Sequence, residues 1–265
     1  MVATAKSKRC QNRIEATLPY SNKLGEILQN LRGAGTVEHA LLEDRPSVDR
    51  TALVILTANR GLCGGYNTNV LTLAEKWMKE ESAVGRPVDV YLSGRKGIGR
   101  FRYLKRDSVE QYTNFEDQPT FSEAEELAGK LLQRFVSKDV DRVLIASTRY
   151  YSIANQVPEI SQLLPIEAPP GESGESGGIA TDFIFDPDRE GILRTLLPLS
   201  VKQTFYRLLL EAAVSEQLAR RMAMKLASDN ADEMIGLYTR QYNRERQAGI
   251  TQQIMEIVTG AEALD

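Results

Sequence analysis

Hydrophobic positions along the chain change their spacing twice, and these changes divide the sequence into three parts. In residues 1–32 apolar side chains recur at helical spacing, at Ile14, Leu24, Ile27, Leu28 and Leu31. Pro19 is expected to kink this helix or to mark a joint between two segments, and Gly33 and Gly35 are stop signals. Residues 36–50 are expected to form a polar connector.

The second part, residues 51–165, alternates between strand and helix patterns. Apolar runs predict strands at 51–58, 88–92 and 142–147, and periodic segments between them predict helices at 67–83 and 123–136. This order predicts a small α/β domain with a mainly parallel sheet. Residues 166–178 are rich in Gly, Ser, Glu and Pro and are expected to form a flexible surface loop before a last short strand at 183–187.

The third part has no proline from Leu199 to Asp265, and its apolar residues recur at spacings near three and four. The positions are Phe205, Leu208, Ala212, Leu218, Met222, Leu226, Met234, Tyr238, Tyr242, Ile254 and Ile257. About 60 helical residues would extend ~90 Å, roughly three times the width of a compact domain of this mass. The helix is therefore expected to project and to pair with the N-terminal helix.

These patterns together predict an α/β fold in which an antiparallel coiled coil of the N- and C-terminal helices accompanies a small, mainly parallel α/β domain. The expected boundaries are 1–35 for the N-terminal helix, 36–190 for the globular domain and 191–265 for the long C-terminal helix.

Composition restricts the chemistry that the chain can perform. Of its 265 residues 42% are hydrophobic and 26% are charged, with a net charge of −3, which is unlike a dedicated nucleic-acid binder. No apolar run approaches the roughly 18 residues that span a bilayer. The two cysteines suggest no disulfide framework. The single histidine, His39, is expected to be a solvated loop residue, which argues against His-based metal sites and Ser-His-Asp triads. We expect no cofactor and no metal.

A glycine-rich segment, RGLCGGYN at 60–67, follows the first strand and invites comparison with phosphate-binding loops. The P-loop pattern is absent, and the nearest similar segment, GRKGIGRF at 94–101, lacks its lysine and hydroxyl residue. A structural turn is the preferred interpretation, with Cys63 as a packed, inert thiol rather than a nucleophile. A nucleotide- or anion-binding α/β enzyme remains the alternative.

Basic residues predominate in the first helix. Residues 1–32 contain six basic and two acidic side chains, an excess of four; the basic ones are Lys6, Lys8, Arg9, Arg13, Lys23 and Arg32. The excess is consistent with a solvated face and equally with a docking surface for acidic partners.

Several segments resemble one known family over essentially the whole chain. They are RGLCGGYNTN at 60–69, QVPEISQLLP at 156–165, the N-terminal MVATAKSKR and ATLPYSNKL, and the C-terminal MAMKLASDNADEMI and YNRERQAGITQQIMEIVTGAEAL. Together they resemble the gamma subunits of F-type, rotary, proton-translocating ATP synthases. Members of that family normally begin earlier than the position of Met1, so the chain is expected to be a truncated or mis-started version.

The resemblance implies a central-stalk rotor that is not catalytic by itself. Such a subunit transmits torque between a proton-driven membrane c-ring and a ring of alternating α and β subunits, beside the epsilon subunit. It implies no nucleic-acid partner, no transmembrane span of its own and a peripheral location. The expected location is the cytoplasmic face of the cell membrane in a bacterium, or the equivalent face of the coupling membrane in an organelle.

The resemblance also implies partner contacts at particular residues. Lys6, Lys8 and Arg9 fall where the shaft of the family meets an acidic lever loop of the β subunit, and Arg220 falls at an arginine that engages a β-subunit catch loop. Positions near the shaft tip, where polar groups face the ring, are occupied by Gln247, Thr251 and Glu256. Gln253 stands where other members are acidic, which departs from the pattern of the family.

Two expectations concern the isolated chain. It is expected to have no ATPase activity, because the P-loop and a catalytic histidine are missing. A first helix of ~48 Å cannot cover a last helix of ~90 Å, so the chain past about Arg240 is expected to be partly disordered or prone to aggregation when alone. An unrelated coiled-coil scaffold is a further alternative, which failure to co-purify with α and β subunits would favour.

Overall fold

In the computed structural model, the chain is described over residues 2–33, 39–43, 45, 47–115, 118–166 and 189–262. Helices and strands follow one another there as α1 (Val2–Gly33), β1 (Thr51–Leu56), α2 (Tyr66–Ala83), β2 (Val88–Ser93), α3 (Arg95–Tyr103), β3 (Glu110–Tyr112), α4 (Phe121–Val136), β4 (Arg142–Tyr150), β5 (Gln156–Leu164) and α5 (Arg189–Glu262). The predicted strand at 183–187 and nearly all of the predicted loop at 166–178 lie outside the described residues.

The five strands form one sheet in the order β3-β2-β1-β4-β5. Strand β1 pairs in parallel with β2 and β4, and β2 pairs in parallel with β3. Every residue of β1 is buried, as expected for the central strand of a parallel sheet. The predicted, mainly parallel α/β sheet is confirmed. Strand β5, which was not predicted, adds an antiparallel edge beside β4.

Helices cover both faces of the sheet. Alternate side chains of β1 point to opposite sides: Leu53 and Ile55 pack with α2 and α3, whereas Ala52 and Val54 pack with α4 and the first part of α5. The layers are therefore helix, sheet, helix, as in doubly wound α/β folds. Phe205 of α5 is fully buried on the same face of the sheet as Ala52 and Val54.

Helices α1 and α5 run antiparallel to each other within residues 1–221. Near the start of α1, Cys10 and Ile14 pack on Leu210, Val214 and Leu218. Further along α1, Ser21 Oγ accepts a hydrogen bond of 3.4 Å from Gln203 Nε2. Positions that advance along α1 thus meet positions that retreat along α5, which confirms the predicted antiparallel pair.

The seam of α1 differs in part from its predicted apolar face. Its buried residues, Ser7, Cys10, Ile14 and Leu24, have the spacing of a heptad repeat and include a serine and a cysteine. Ile27 was predicted on this face but is 41% exposed, because it falls one position outside that repeat. The helix runs through Pro19 as one element, without a joint.

Residues 222–260 of α5 form a separate unit with a different character. Every side chain there is exposed except Ala223 and Asn243, which are half-buried. The loss of an intrachain partner was predicted to begin at about Arg240. Within the described residues, the C-terminal helix becomes exposed about twenty positions earlier. The predicted single long helix is confirmed, and it starts at Arg189 and includes Pro198.

The connector before β1 contains another departure from prediction. His39 was expected to be solvated, but it is half-buried, and its Nδ1 accepts a 3.2 Å hydrogen bond from the amide of Leu41. Burial, assisted by the nearby charge of Arg194, lowers the pKa of His39. Its neighbour Leu41 is fully buried in the core beside α4, which explains why the histidine is drawn inward.

Candidate partner-contact surface

The glycine-rich segment at 60–67 is a tight turn held by its own side chains. Leu62 and Gly64 adopt positive φ angles of 62° and 55°. Asn67 closes the turn, since its Oδ1 accepts from the amide of Ala58 at 2.8 Å and its Nδ2 donates to Cys63 Sγ at 3.1 Å. The asparagine thus ties the end of β1 to the start of α2.

This turn packs on α5, and α5 fills the crevice where a doubly wound sheet usually binds its ligand. That crevice lies at the carboxyl ends of β1 and β4, where the strand order reverses. Tyr66 is buried there, and its hydroxyl donates to the carbonyl of Ala212 at 3.2 Å. On the β4 side, Ser215 Oγ donates to the carbonyl of Thr148 at 3.4 Å. A helix of the chain itself occupies the place of a ligand.

The second glycine-rich segment, at the start of α3, has its amide groups engaged within the chain. The first amides of a helix are the groups that would otherwise receive an anion. Their acceptors are Tyr112 O for Gly94 (2.9 Å), Asn59 Oδ1 for Arg95 (3.1 Å), Ala58 O for Lys96 (3.2 Å), Thr57 Oγ1 for Gly97 (2.9 Å) and Gly94 O for Ile98 (3.2 Å). A structural turn accounts for the glycines of this segment.

Cys63 is buried in a small cluster with Ala58, Tyr66 and Ala219. Burial raises the pKa of its thiol, and the positive charge of Arg220 only partly offsets that effect. A thiol with a raised pKa is a poor nucleophile, which agrees with the predicted packed thiol. The described part of the chain contains no group of three or more side chains able to hold a metal ion.

Arg220 stands at the edge of this cluster and is largely buried. Its guanidinium forms a 2.6 Å salt bridge with Glu216, one turn earlier on α5, and Nε donates to the carbonyl of Gly61 at 3.4 Å. Only 15% of the arginine side chain is exposed. The structure therefore brings Arg220 to the glycine-rich turn, a contact that sequence reasoning missed although both segments were singled out.

The three basic residues near the start of α1 are not equivalent. Lys8 and Arg9 are exposed, whereas Lys6 is half-buried because it lies one turn before the buried Cys10. The helix thus presents two cations to solvent and holds the third beside the seam with α5.

The residues assigned to the shaft tip are all exposed on α5 but do not share one face. Thr251 lies one turn after Gln247, and its hydroxyl donates to the Gln247 carbonyl at 2.9 Å. At 100° per residue, Glu256 points roughly 140° away from Thr251. Its carboxylate accepts a 3.0 Å hydrogen bond from Gln252. Gln253 is exposed on the same stretch.

Exposed apolar side chains continue through the last part of α5. The large ones are Met222, Met224, Leu226, Met234, Ile235, Leu237, Tyr238, Tyr242, Ile250, Ile254, Met255, Ile257 and Val258, each between 40% and 72% exposed. So many apolar residues on one helix mark a surface made for partners. With terminal helices paired antiparallel and a ligand crevice filled by α5, the chain has the features of a protein that works through helical contacts with partners.

Comparisons with known proteins agree with that class. A family model described as ATP synthase matches residues 1–264. The ATP synthase gamma chain of Leptospira biflexa is 42% identical over 265 residues, covering 100% of this chain and 91% of the relative. That of Gemmatimonas aurantiaca is 44% identical with the same coverage. The chain belongs to the ATP synthase gamma-chain family, the non-catalytic central-stalk subunits of that enzyme.

Solved structures support the same fold. A Euglena gracilis mitochondrial ATP synthase structure with OSCP, F1 and c-ring aligns with a TM-score of 0.57 at 17% identity, over 98% of this chain and 95% of that one. The central stalk and c-ring structure from Tetrahymena thermophila aligns with a TM-score of 0.55 at 17% identity, over 86% and 100%. As a member of the family, the chain is part of a membrane-associated complex. None of its described helices is both long and apolar enough to cross a bilayer.

Proposed function

We propose that this chain is the rotor shaft of a rotary ATP synthase. It transmits torque between a proton-driven membrane c-ring and a catalytic ring of α and β subunits, and thereby couples proton flow to ATP synthesis or hydrolysis. Residues 1–35 and 191–265 form the shaft. Residues 36–190 form the foot that meets the c-ring beside the epsilon subunit. In a bacterium the subunit lies at the cytoplasmic face of the cell membrane.

The observation that carries this proposal is the arrangement of exposed apolar residues on α5 beyond Arg221. Met234, Tyr238 and Tyr242 form one stripe at helical spacing, and Ile250, Ile254 and Ile257 form another. At 100° per residue the centres of the two stripes differ by roughly 130° around the helix. One flat partner surface cannot cover both stripes. A sleeve of several neighbouring subunits can.

The same asymmetry provides the mechanism of coupling. A helix whose sides differ in shape and charge presents a different surface to each subunit around it. Each catalytic subunit then shifts towards the conformation that contacts its side of the helix best. Because every contact must break at each step, mixed small, polar and apolar residues are more suitable than a continuous leucine seam.

The contact residues follow from this arrangement. We assign Lys8 and Arg9, with the half-buried Lys6 beside them, to the acidic lever loop of the β subunit. Arg220, which is paired with Glu216 in the isolated chain, is assigned to the β-subunit catch loop. Gln247, Thr251 and Glu256 are assigned to the tip, where their different directions let them meet different subunits.

The proposal is tested by reconstituting the chain with α and β subunits and following rotation of a probe during ATP hydrolysis. Exposed ion pairs contribute about 0.2–1 kcal/mol each, so reversing both charges in Lys8→Glu/Arg9→Glu is expected to lower turnover under load about two- to thirtyfold. Lys76→Glu/Lys79→Glu on α2 is the matched control, since both lysines are exposed, and it is expected to stay within about twofold of the parent.

Two results would contradict the proposal. One is a chain that fails to form a rotating complex with α and β subunits. The other is ATP turnover by the purified chain alone that a mutation of the chain abolishes, since the isolated protein is expected to hydrolyse no ATP.

A further inference from the structure

An ion pair joins the end of β4 to the first half of α5, among mainly apolar contacts between the sheet and the helix. Arg149 Nε donates to Glu211 Oε2 at 2.6 Å, and the backbone amide of Tyr150 donates to the same oxygen at 3.5 Å. The Glu211 side chain is only 8% exposed. Its neighbours Leu209 and Leu210 on α5 belong to the two apolar clusters on either side of it.

The pair has further polar support on both sides. From Arg149, Nη1 reaches Glu159 Oε1 at 3.2 Å on the edge strand β5. Tyr151 donates its hydroxyl to the other oxygen of Glu159 at 2.9 Å. On the helix, Arg207 Nε lies 3.5 Å from Glu211 Oε1. One guanidinium thus connects two strands of the sheet to the helix.

A buried ion pair is a poor means of stabilising a fold, because apolar residues of the same volume usually do as well or better. Its hydrogen bonds do, however, fix the distance and angle between the two elements that the pair joins. The free energy of apolar burial is non-directional and depends mainly on the area removed from water, whereas hydrogen bonds weaken steeply when distance or angle changes. A charged hydrogen-bonded contact therefore resists turning and shear of the helix against the sheet more than the apolar contacts around it do.

We propose that Arg149 and Glu211 are the positioning residues that lock α5 to the sheet against rotation, so that torque passes between the α/β domain and the helix without slip. The torque in this statement rests on the function proposed above. The lock itself is a property of the chain and can be measured without the complex.

The first experiment measures the lock in the full-length chain. Spin labels are placed at Tyr103→Cys on α3 and Thr195→Cys on α5, both exposed positions, whereas the two native cysteines are buried. Glu211→Gln keeps the shape and removes the charge, and it is expected to widen the distribution of label distances about twofold. Glu125→Gln is the matched control: it breaks the 2.8 Å pair with Lys202, which also joins α5 to the α/β domain but is more exposed. The control is expected to leave the width unchanged.

The second experiment measures torque transfer in the reconstituted complex. A rotation probe on Tyr103→Cys reports the α/β domain, and one on Thr195→Cys reports α5. Glu211→Gln is expected to raise the angular variance within a dwell about twofold for the first probe and not for the second. If the Glu211→Gln chain does not assemble, Arg149→Lys replaces it, because it keeps the charge but loses the planar fork of guanidinium donors. The same difference in angular variance between the two probes is expected.

The outcomes separate the two claims. An unchanged distance width in both Arg149→Lys and Glu211→Gln, or an equal change in Glu125→Gln, overturns the lock. A widened distribution with equal angular variance at both probes overturns its role in torque transfer. A parent complex that does not rotate refutes the proposed function and with it that role, while the distance measurement still decides the lock.

Discussion

Gly94 offers a direct test of the structural interpretation of the glycine-rich segment at the start of α3. Its φ angle is +94°, a conformation that residues with a side chain rarely adopt. A Cβ atom added there would lie 2.1 Å from the Thr57 carbonyl oxygen and 2.6 Å from its carbon. Both atoms are backbone at the end of β1, so they cannot move aside as a flexible side chain would. Gly94→Ala must therefore separate β1 from β2.

The cost of this substitution has two parts. Holding alanine in a backbone region reserved for glycine costs about 1–3 kcal/mol, and forcing an extra carbon into a packed site costs about 1–3 kcal/mol more. A loss of roughly 2–6 kcal/mol would remove a large fraction of the 5–15 kcal/mol that stabilises a typical domain.

Urea unfolding followed by Trp77 fluorescence measures this loss in the full chain. Trp77 is the one tryptophan. It is half-buried on α2, with the Arg142 guanidinium 5.5 Å from its ring centroid, so it reports on the α/β domain. Gly99→Ala, within α3, is the control, since nothing lies within 4 Å of its added Cβ. It is expected to be neutral or to stabilise the fold by up to about 1 kcal/mol. Equal unfolding midpoints for the two variants would refute the reasoning.

Three further predictions use the same chain. Tyr66→Phe removes the buried hydrogen bond to Ala212 and is expected to lower the free energy of unfolding by about 0.5–1.5 kcal/mol, measured by Trp77 fluorescence. An unchanged free energy of unfolding would show that the hydrogen bond is not formed. Burial raises the pKa of Asp141, but bonds from two backbone amides and an arginine outweigh it and lower the pKa overall. The contribution of ionised Asp141 to the free energy of unfolding is thus present above the unfolded pKa of about 3.9 and is lost as pH falls through the folded pKa. Asp141→Asn should therefore lose less stability than the parent as the solution is acidified. Parallel curves of stability against pH for the two proteins would contradict this. Cys63 is buried with a raised pKa; it should react with a thiol reagent at pH near 8 only after unfolding, and rapid labelling of the native chain would disprove its burial.

The central strands and the two terminal helices could be predicted because their patterns are strong on their own. The run of apolar residues in β1 has no polar interruption, and only a strand covered on both faces requires that. The antiparallel pairing of the terminal helices followed from length, since a long amphipathic helix needs a partner. In both cases local sequence and tertiary structure agree.

Other elements were missed because tertiary contacts override weak local signals. Helix α3 has nine residues, two of them glycine, and little intrinsic tendency to form. It is held by burial of Ile98 and Phe101 and by the bond between Gly97 and Thr57. Strand β5 contains Pro158, a residue that argues against a central strand and is tolerated here at the sheet edge.

In the candidate site, too, some features could be predicted from local sequence and others could not. The glycine-rich turn was singled out from its sequence, but its partner on α5 was not, because no local pattern links Gly61 to Arg220. The ion pair of Arg149 and Glu211 was equally hidden, since charged residues in a mixed sequence predict solvent exposure until a fold brings them together. The seam of α1 uses Ser7 and Cys10, which an apolar periodicity does not select.

The crevice filled by α5 also has a consequence for biosynthesis. Tyr66 and Ala212, which meet there, are separated by 146 positions, and Gly61 and Arg220 by 159. A ribosome releases the strands long before the helix that seals them, so the nascent sheet must wait with an open apolar face. Such distant contacts slow folding. During that interval the incomplete domain is a natural client for chaperones, and premature termination before residue 221 would leave it exposed to proteolysis.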